Sequence, residues 1–142
     1  MATMTKEEIL AILKANPRAY VATVEGNKPH VRAIATYKID ENGIIFQTWK
    51  IKDIHKQLEK NPEVEMCFTD LKGSVQVRVN GRLELLEDRA LKEEWLSKRA
   101  MMKPMVDAKG GLDVIAIYRL KKGKATIWTM PSNFDPKTYT EL

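Results

Sequence analysis

The 142-residue chain has one cysteine, Cys67, and two histidines, His30 and His55. A lone cysteine excludes a disulfide scaffold and suits a reducing compartment. Neither histidine has a carboxylate at zinc-ligand spacing, so no metal site is expected. No apolar run approaches the ~20 residues that cross a bilayer. The opening MATMTKEEIL carries acidic residues where a secretory signal would be basic, and no apolar stretch follows. These absences predict a cytoplasmic protein that does not contact membranes. There is no G-x-G-x-x-G and no phosphate-binding P-loop. Ser74, Ser97 and Ser132 stand in no nucleophile motif. No residue is marked as catalytic by its neighbours.

What is present fits one globular domain. Hydrophobic residues make up 44% and charged residues 30% of the chain, ordinary values for a folded protein. A mass of 16.3 kDa suits one domain over 1–142, with residues 1–4 and 131–142 expected to be loose. The net charge of +5 and a pI near 9.3 raise the possibility of a basic nucleic-acid-binding barrel. Against it, the lysines alternate with Glu and Asp along the whole chain, as on a solvated surface. The local excess at Lys50, Lys52, Lys56 and Lys60 is more telling, because a small anion needs only a few such donors.

The pattern of elements is regular. Thr5 and Glu8 have capping-box spacing, and Ile9, Leu10, Ile12 and Leu13 give the following helix an apolar face, ended by Asn16-Pro17. Ala19–Val24 reads as a strand, and Glu25 to Lys28 as a turn. Period-2 alternation from His30 to Ile39 puts Val31, Ala33, Ala35, Tyr37 and Ile39 on one face of a strand. Asp40 to Gly43 is a hairpin turn, and Ile44–Trp49 the next strand. A short helix runs from about Lys52 to Lys60 with Ile54 and Leu58 inward, stopped by Asn61-Pro62. Strands follow at Val64–Thr69 and Ser74–Leu86. Gly81 inside the second marks a bulge or a bend. Asp88 caps a third helix carrying Leu91, Trp95 and Leu96, and Met101–Gly111 reads as a loop. Val114–Leu120 and Lys124–Met130 are the last strands. Six or seven strands and three helices in so short a chain predict an α+β protein. Hairpin connections predict an antiparallel β-barrel, closed to remove its edges, with flanking helices.

One segment stands above background. In Gln47-Thr48-Trp49-Lys50-Ile51-Lys52-Asp53 a strand ends, a polar-basic loop follows and a helix begins. A hydroxyl, two lysines and helix-start N–H groups suit a phosphate dianion. The same residues also suit an ordinary strand-to-helix loop with solvated lysines.

Three stretches together resemble the pyridoxamine 5'-phosphate oxidase-like, FMN-binding split-barrel family. They are Tyr20 to Val24 with Gly26 and Pro29-His30-Val31-Arg32; Phe46-Gln47-Thr48 with Leu58 and Asn61-Pro62; and Gln76 to Glu84. Their order and spacing agree with the family over roughly residues 5–130. The resemblance implies an antiparallel split β-barrel that forms a homodimer with FMN at the subunit interface. It implies Arg32 at the flavin and phosphate, with the backbone of Ala33 and Ile34 along the ring. Gln47 and Thr48 would reach the ring and the ribityl phosphate, and Gln76 would hydrogen-bond the flavin. Trp128 would reach FMN from the second subunit. The chain departs from the true oxidases in having Tyr37 in place of a lysine and Lys52-Asp53-Ile54 in place of Ser-Arg-Lys. Its tail also lacks the arginines that complete a pyridoxal site. These departures argue against pyridoxamine-phosphate oxidase activity and hand the phosphate to Lys52, with Lys50 as second choice.

FMN requires donors for its phosphate, donors for its pyrimidine edge and a flat apolar wall. Arg32, Thr48, Lys50 and Lys52 suit the first, Gln76 and backbone amides the second, and Ile34, Trp49 and Trp128 the third. For each tryptophan, packing in the core or an interface is the competing role. The leading expectation is a small FMN-dependent oxidoreductase. The alternatives are a protein that holds flavin without turnover and the basic nucleic-acid-binding barrel.

Overall fold

The structure is a computed structural model and describes residues 4–142. The first three residues of the expected loose N-terminus lie outside the described residues.

Helix α1 (Lys6–Ala15) begins at the capping box: the Thr5 side chain accepts from the Glu8 amide and Glu8 accepts from the Thr5 amide. It buries Ile9 and Leu13. The strands are β1 (Arg18–Glu25), β2 (Lys28–Asp40), β3 (Gly43–Trp49), β4 (Glu63–Thr69), β5 (Val75–Leu86), β6 (Ile115–Leu120), β7 (Lys124–Thr129) and β8 (Thr140–Glu141). Helix α2 (Asp53–Lys60) links β3 to β4, while α3 (Arg89–Ser97) and α4 (Lys103–Lys109) lie between β5 and β6.

All pairings are antiparallel, in the order β4-β1-β2-β3-β6-β5-β7-β8, and β4 also pairs with β5. That extra pairing closes a six-stranded barrel. Strand β5 belongs to both halves of it. Its first part, to Asn80, lies between β4 and β7, and from Leu83 on it pairs with β6. Gly81 sits at the changeover without a register slip against β4. A Cβ there would stand 2.8 Å from Leu120 Cδ1, so the glycine serves close approach at a bend and no bulge. Two apolar clusters result. The barrel interior holds Phe46, Met66, Phe68, Val77, Val79 and Leu120. A second cluster, outside the barrel, holds Ile45, Trp49, Trp95, Val106, Ile115 and Ile117.

Three expectations are corrected. The stretch Met101–Gly111 is not a loop: a short 3-10 turn, Ala100–Met102, leads into α4. Pro104 stands in the first turn, where its missing N–H costs nothing, and Gly110 closes the helix in the left-handed conformation. The tail is not wholly loose, because β8 pairs with β7 and Leu142 packs against the interior. The even alternation along β2 also fails. A register shift between Thr36 and Lys38 inserts Tyr37 as an extra residue. The phase reverses there, so Ile39 is buried while Val31, Ala33 and Ala35 face outward.

Gly43 opens β3 with φ +120°, and a Cβ would sit 2.5 Å from the Leu120 carbonyl oxygen. Gly43→Ala is expected to destabilise the fold by about 1–3 kcal/mol or more, read as a lower urea midpoint with an unchanged slope.

Candidate functional site

The middle of β2, the end of β3, the start of α2, and α3 with its connection to α4 enclose a pocket of about 350 Å³. That is within the range of cofactor sites. Of the residues singled out in the sequence, Arg32, Ala33, Ile34, Gln47, Thr48, Trp49 and Lys52 line it. Ala35, Tyr37, Ile54, Trp95, Arg99 and Met102 complete the wall. Among these residues are three cations and no acid.

Arg32 points inward from β2. Its Nη1 donates to Thr23 Oγ1 at 2.8 Å and to the Val21 carbonyl at 3.3 Å. Its Nη2 donates to Gln57 Oε1 at 2.7 Å. Thr23 also donates to that Gln57 oxygen, at 2.5 Å. All three acceptors are neutral. Among the described residues no carboxylate makes an ion pair with Arg32, Lys52 or Arg99. Burial pulls the Arg32 guanidinium below its ordinary pKa, and the nearby Asp53 charge partly offsets this. The hydrogen bonds fix the guanidinium without neutralising it.

Lys52 stands at the start of α2, where no side chain caps the helix. First-turn N–H groups have no acceptor within a helix, and the dipole favours an anion there. Thr48 is buried and lines the pocket beside this turn. Its carbonyl accepts from Gln47 Nε2 at 2.8 Å, which fixes the Gln47 amide against β3. The basic end of the pocket is therefore Arg32, Thr48, Lys52 and the open start of α2.

Tyr37 lies five residues from Arg32, about 16 Å along an extended strand. Its hydroxyl donates to Glu94 Oε2 at 2.6 Å, and the Lys38 ammonium lies 2.8 Å from the same oxygen. The Arg99 guanidinium covers the Tyr37 ring at 4.8 Å from its centre and lies 5.9 Å from that of Trp95. This end is aromatic, and the Lys38 and Lys98 ammonium groups also lie near the Tyr37 ring, 5.5 and 5.7 Å from its centre. The bulge at Tyr37 aims the ring here.

Three expected residues fall elsewhere. The Lys50 ammonium is drawn to Glu87, 3.9 Å away, and does not line the pocket. Gln76 and Trp128 are register partners on β5 and β7. They lie away from this pocket, and the Trp128 indole donates to Asn133 Oδ1 at 2.8 Å. Trp95, expected in the core, is buried there and also walls the pocket. Sequence reasoning missed Gln57 and Arg99. A glutamine on the buried side of α2, between Ile54 and Leu58, was the available signal for the first. Arg99 follows the end of α3 by two positions and gives no signal of its own.

The closed antiparallel barrel with its flanking helices defines the class as a split β-barrel. The chain belongs to the pyridoxamine 5'-phosphate oxidase family, whose model matches residues 5–133. Among solved structures it is similar to a NimC/NimA family protein from Clostridium acetobutylicum. The two share 26% identity with a TM-score of 0.75, over 96% of this chain and 92% of that one. A second structure from Clostridium acetobutylicum is related to general stress protein 26 of B. subtilis, in the pyridoxinephosphate oxidase family. It shares 19% identity over 96% and 93% of the two chains, with a TM-score of 0.72. An FAD-binding protein from Mesorhizobium loti has the same fold at 17% identity and a TM-score of 0.63, over 90% of this chain and 98% of that chain. No curated protein matches the sequence. Among the described residues, no helix is long and apolar enough to cross a membrane.

Burial, helped by the bond to Glu94 and that residue's charge, pushes the Tyr37 phenol from 10.0 up to about 12. The fold thus favours neutral Tyr37. This contribution to stability is complete below the ordinary phenol range and is lost as pH rises through about 12. In an ultraviolet pH titration, Tyr37→Phe is expected to remove signal from the late-ionising phenols and leave the early ones unchanged. Loss from the early group instead would contradict this placement.

Proposed function

We propose that the chain is an FMN-binding flavoprotein acting as a homodimeric, small flavin-dependent oxidoreductase. The observation that carries this reading is the acid-free pocket lining with Arg32 and Lys52, neither of them ion-paired among the described residues, beside the uncapped start of α2. Arg32 and Lys52 balance the two charges of a phosphate monoester, while the Thr48 hydroxyl and the first amides of α2 donate to its oxygens. The distance from Arg32 to Tyr37 suits a ribityl chain followed by a planar ring. Ile34, Trp49 and Tyr37 supply apolar and aromatic surface and keep water from the ring. Gln47 offers an amide to its polar edge. When bound, the flavin supplies hydride and single-electron transfer. Arg99, at the aromatic end, offers a cation to an anionic group of the substrate.

The dimer is supported by the outer face of the sheet. Val31 is 68% exposed and Tyr20 55% exposed. Register places Tyr20 beside Ala33 and Ala22 beside Val31. An apolar patch of this kind favours a partner surface. Ala33 and Ala35 belong both to that face and to the pocket wall, so a partner docked there borders the flavin. Trp128 is read as reaching the partner's flavin, and Gln76, its register neighbour, lies beside it.

The absorption spectrum of the purified protein tests the cofactor, and mass spectrometry of what it releases identifies it. Arg32→Ala is expected to weaken FMN binding by ~1.5–3 kcal/mol, about tenfold to a hundredfold. Lys14→Ala, on the exposed side of α1 and away from the pocket, is expected to change it little. Lys52→Met should lower affinity for FMN strongly and for riboflavin hardly at all, and the preference for FMN should fall as salt rises. An unchanged FMN-to-riboflavin ratio in that variant would move the phosphate elsewhere.

Sedimentation at micromolar concentration is expected to give a species of twice the 16.3 kDa chain mass. A monomer alone would count against the dimer.

A further inference from the structure

Helix α2 has few means of holding its orientation. It has only eight residues, too short to be stable alone. Its buried apolar side chains are Ile54 and Leu58, one turn apart. At about 100° per residue, His55 and Gln57 flank that stripe, each roughly 80° from its middle. Both are buried, at 5% exposure. Gln57 is tied on one side to Thr23 of β1 and Arg32 of β2. His55 is tied on the other side: its Nδ1 lies 2.5 Å from the Tyr118 hydroxyl of β6. Its Nε2 faces Glu59 of the next turn at 3.5 Å. The Tyr118 ring is itself held by stacking on Phe46, with centres 5.7 Å apart.

The phosphate reading uses Gln57 through Arg32 but has no role for His55 and Tyr118. We infer that the buried Tyr118–His55 hydrogen bond is a positioning device: it sets the rotation of α2 and so aims the first-turn amides and Lys52 at the anion. The reasoning is geometric. A stripe of two apolar residues lets a short helix roll, and a polar tie on each flank stops it. A buried donor and acceptor that have only each other also hold a defined separation, because parting leaves both unsatisfied. Neither residue touches the pocket, so they act only through the helix. The inference rests on the phosphate reading given above.

The test compares Tyr118→Phe, which keeps the stacked ring, with His55→Leu and His55→Asn. Asparagine retains an acceptor close to the Nδ1 position. Dissociation constants for FMN and riboflavin are measured by flavin fluorescence. Amide exchange in the flavin-free protein is measured for the hydrogen-bonded amides at the end of α2, Gln57 to Asn61, and for α1. Tyr118→Phe and His55→Leu are expected to weaken FMN about tenfold while leaving riboflavin unchanged, and His55→Asn to recover most of the loss. Exchange should quicken in α2 and not in α1. If FMN and riboflavin weaken together, or neither changes, the positioning role is overturned while the flavin site stands. If the unaltered protein binds FMN no better than riboflavin, the phosphate reading fails and the inference with it.

Discussion

Arg32 carries a positive charge into the barrel wall and meets only neutral oxygens there. Thr23, Val21 and Gln57 hold the guanidinium in place, and each comes from a different position around it: two from β1 and one from α2. Burial alone disfavours such a charge. A carboxylate in the wall would relieve that cost and also cancel the site. The fold instead keeps Asp53 near enough to be felt and too far to pair. Much of the local design follows from that choice. The helix start is left uncapped, and the pocket lining excludes acids. The remaining field is available to a ligand.

The pocket exists because two departures from regular β-structure coincide. At Tyr37 the extra residue of β2 turns a ring toward α3, and with it brings Glu94, Lys38 and Arg99 into one group. At the end of β3 the chain leaves the sheet into α2, so Thr48 and Lys52 stand at the mouth of the barrel. Between these points β2 presents small residues, Ala33 and Ala35, that leave room for a flat ligand. A larger side chain at either would fill the space that both the pocket and the outer face share.

Much of this was legible beforehand. The alternation of apolar residues, the turn at Asn42-Gly43 and the capping signals at Thr5 and Asp88 gave the strands and three helices close to their observed limits. Gly81 marked the bend. The segment Thr48 to Lys52 was legible because it is contiguous in sequence, whereas Arg32, on another strand, came from the family resemblance. The bulge was not, since Tyr37 and Ile39 are both apolar and an unbroken alternation accounts for them equally well. Helix α4 was hidden because Pro104 and the paired glycines Gly110-Gly111 suggest a loop when read singly; only their order, proline first and glycine last, signals a helix. Arg99 belongs to the site through tertiary packing alone. Lys50 turns toward Glu87 and does not line the pocket, a direction that the end of a strand does not reveal in sequence.

Strand β5 has a consequence of another kind. Because it is bonded to β4 and β7 along its first part and to β6 beyond Gly81, each half of the barrel is completed only when β5 is in place. The hairpins β1–β2 and β2–β3 can form early from near neighbours, but the β3–β6 pairing joins Ile44 to Leu120 across most of the chain. Closing so long a loop is entropically costly and comes late. Until then the facing edges of β3 and β6 stay open to other chains. For this protein the exposed interval during folding, more than the finished barrel, is the stage at which aggregation competes.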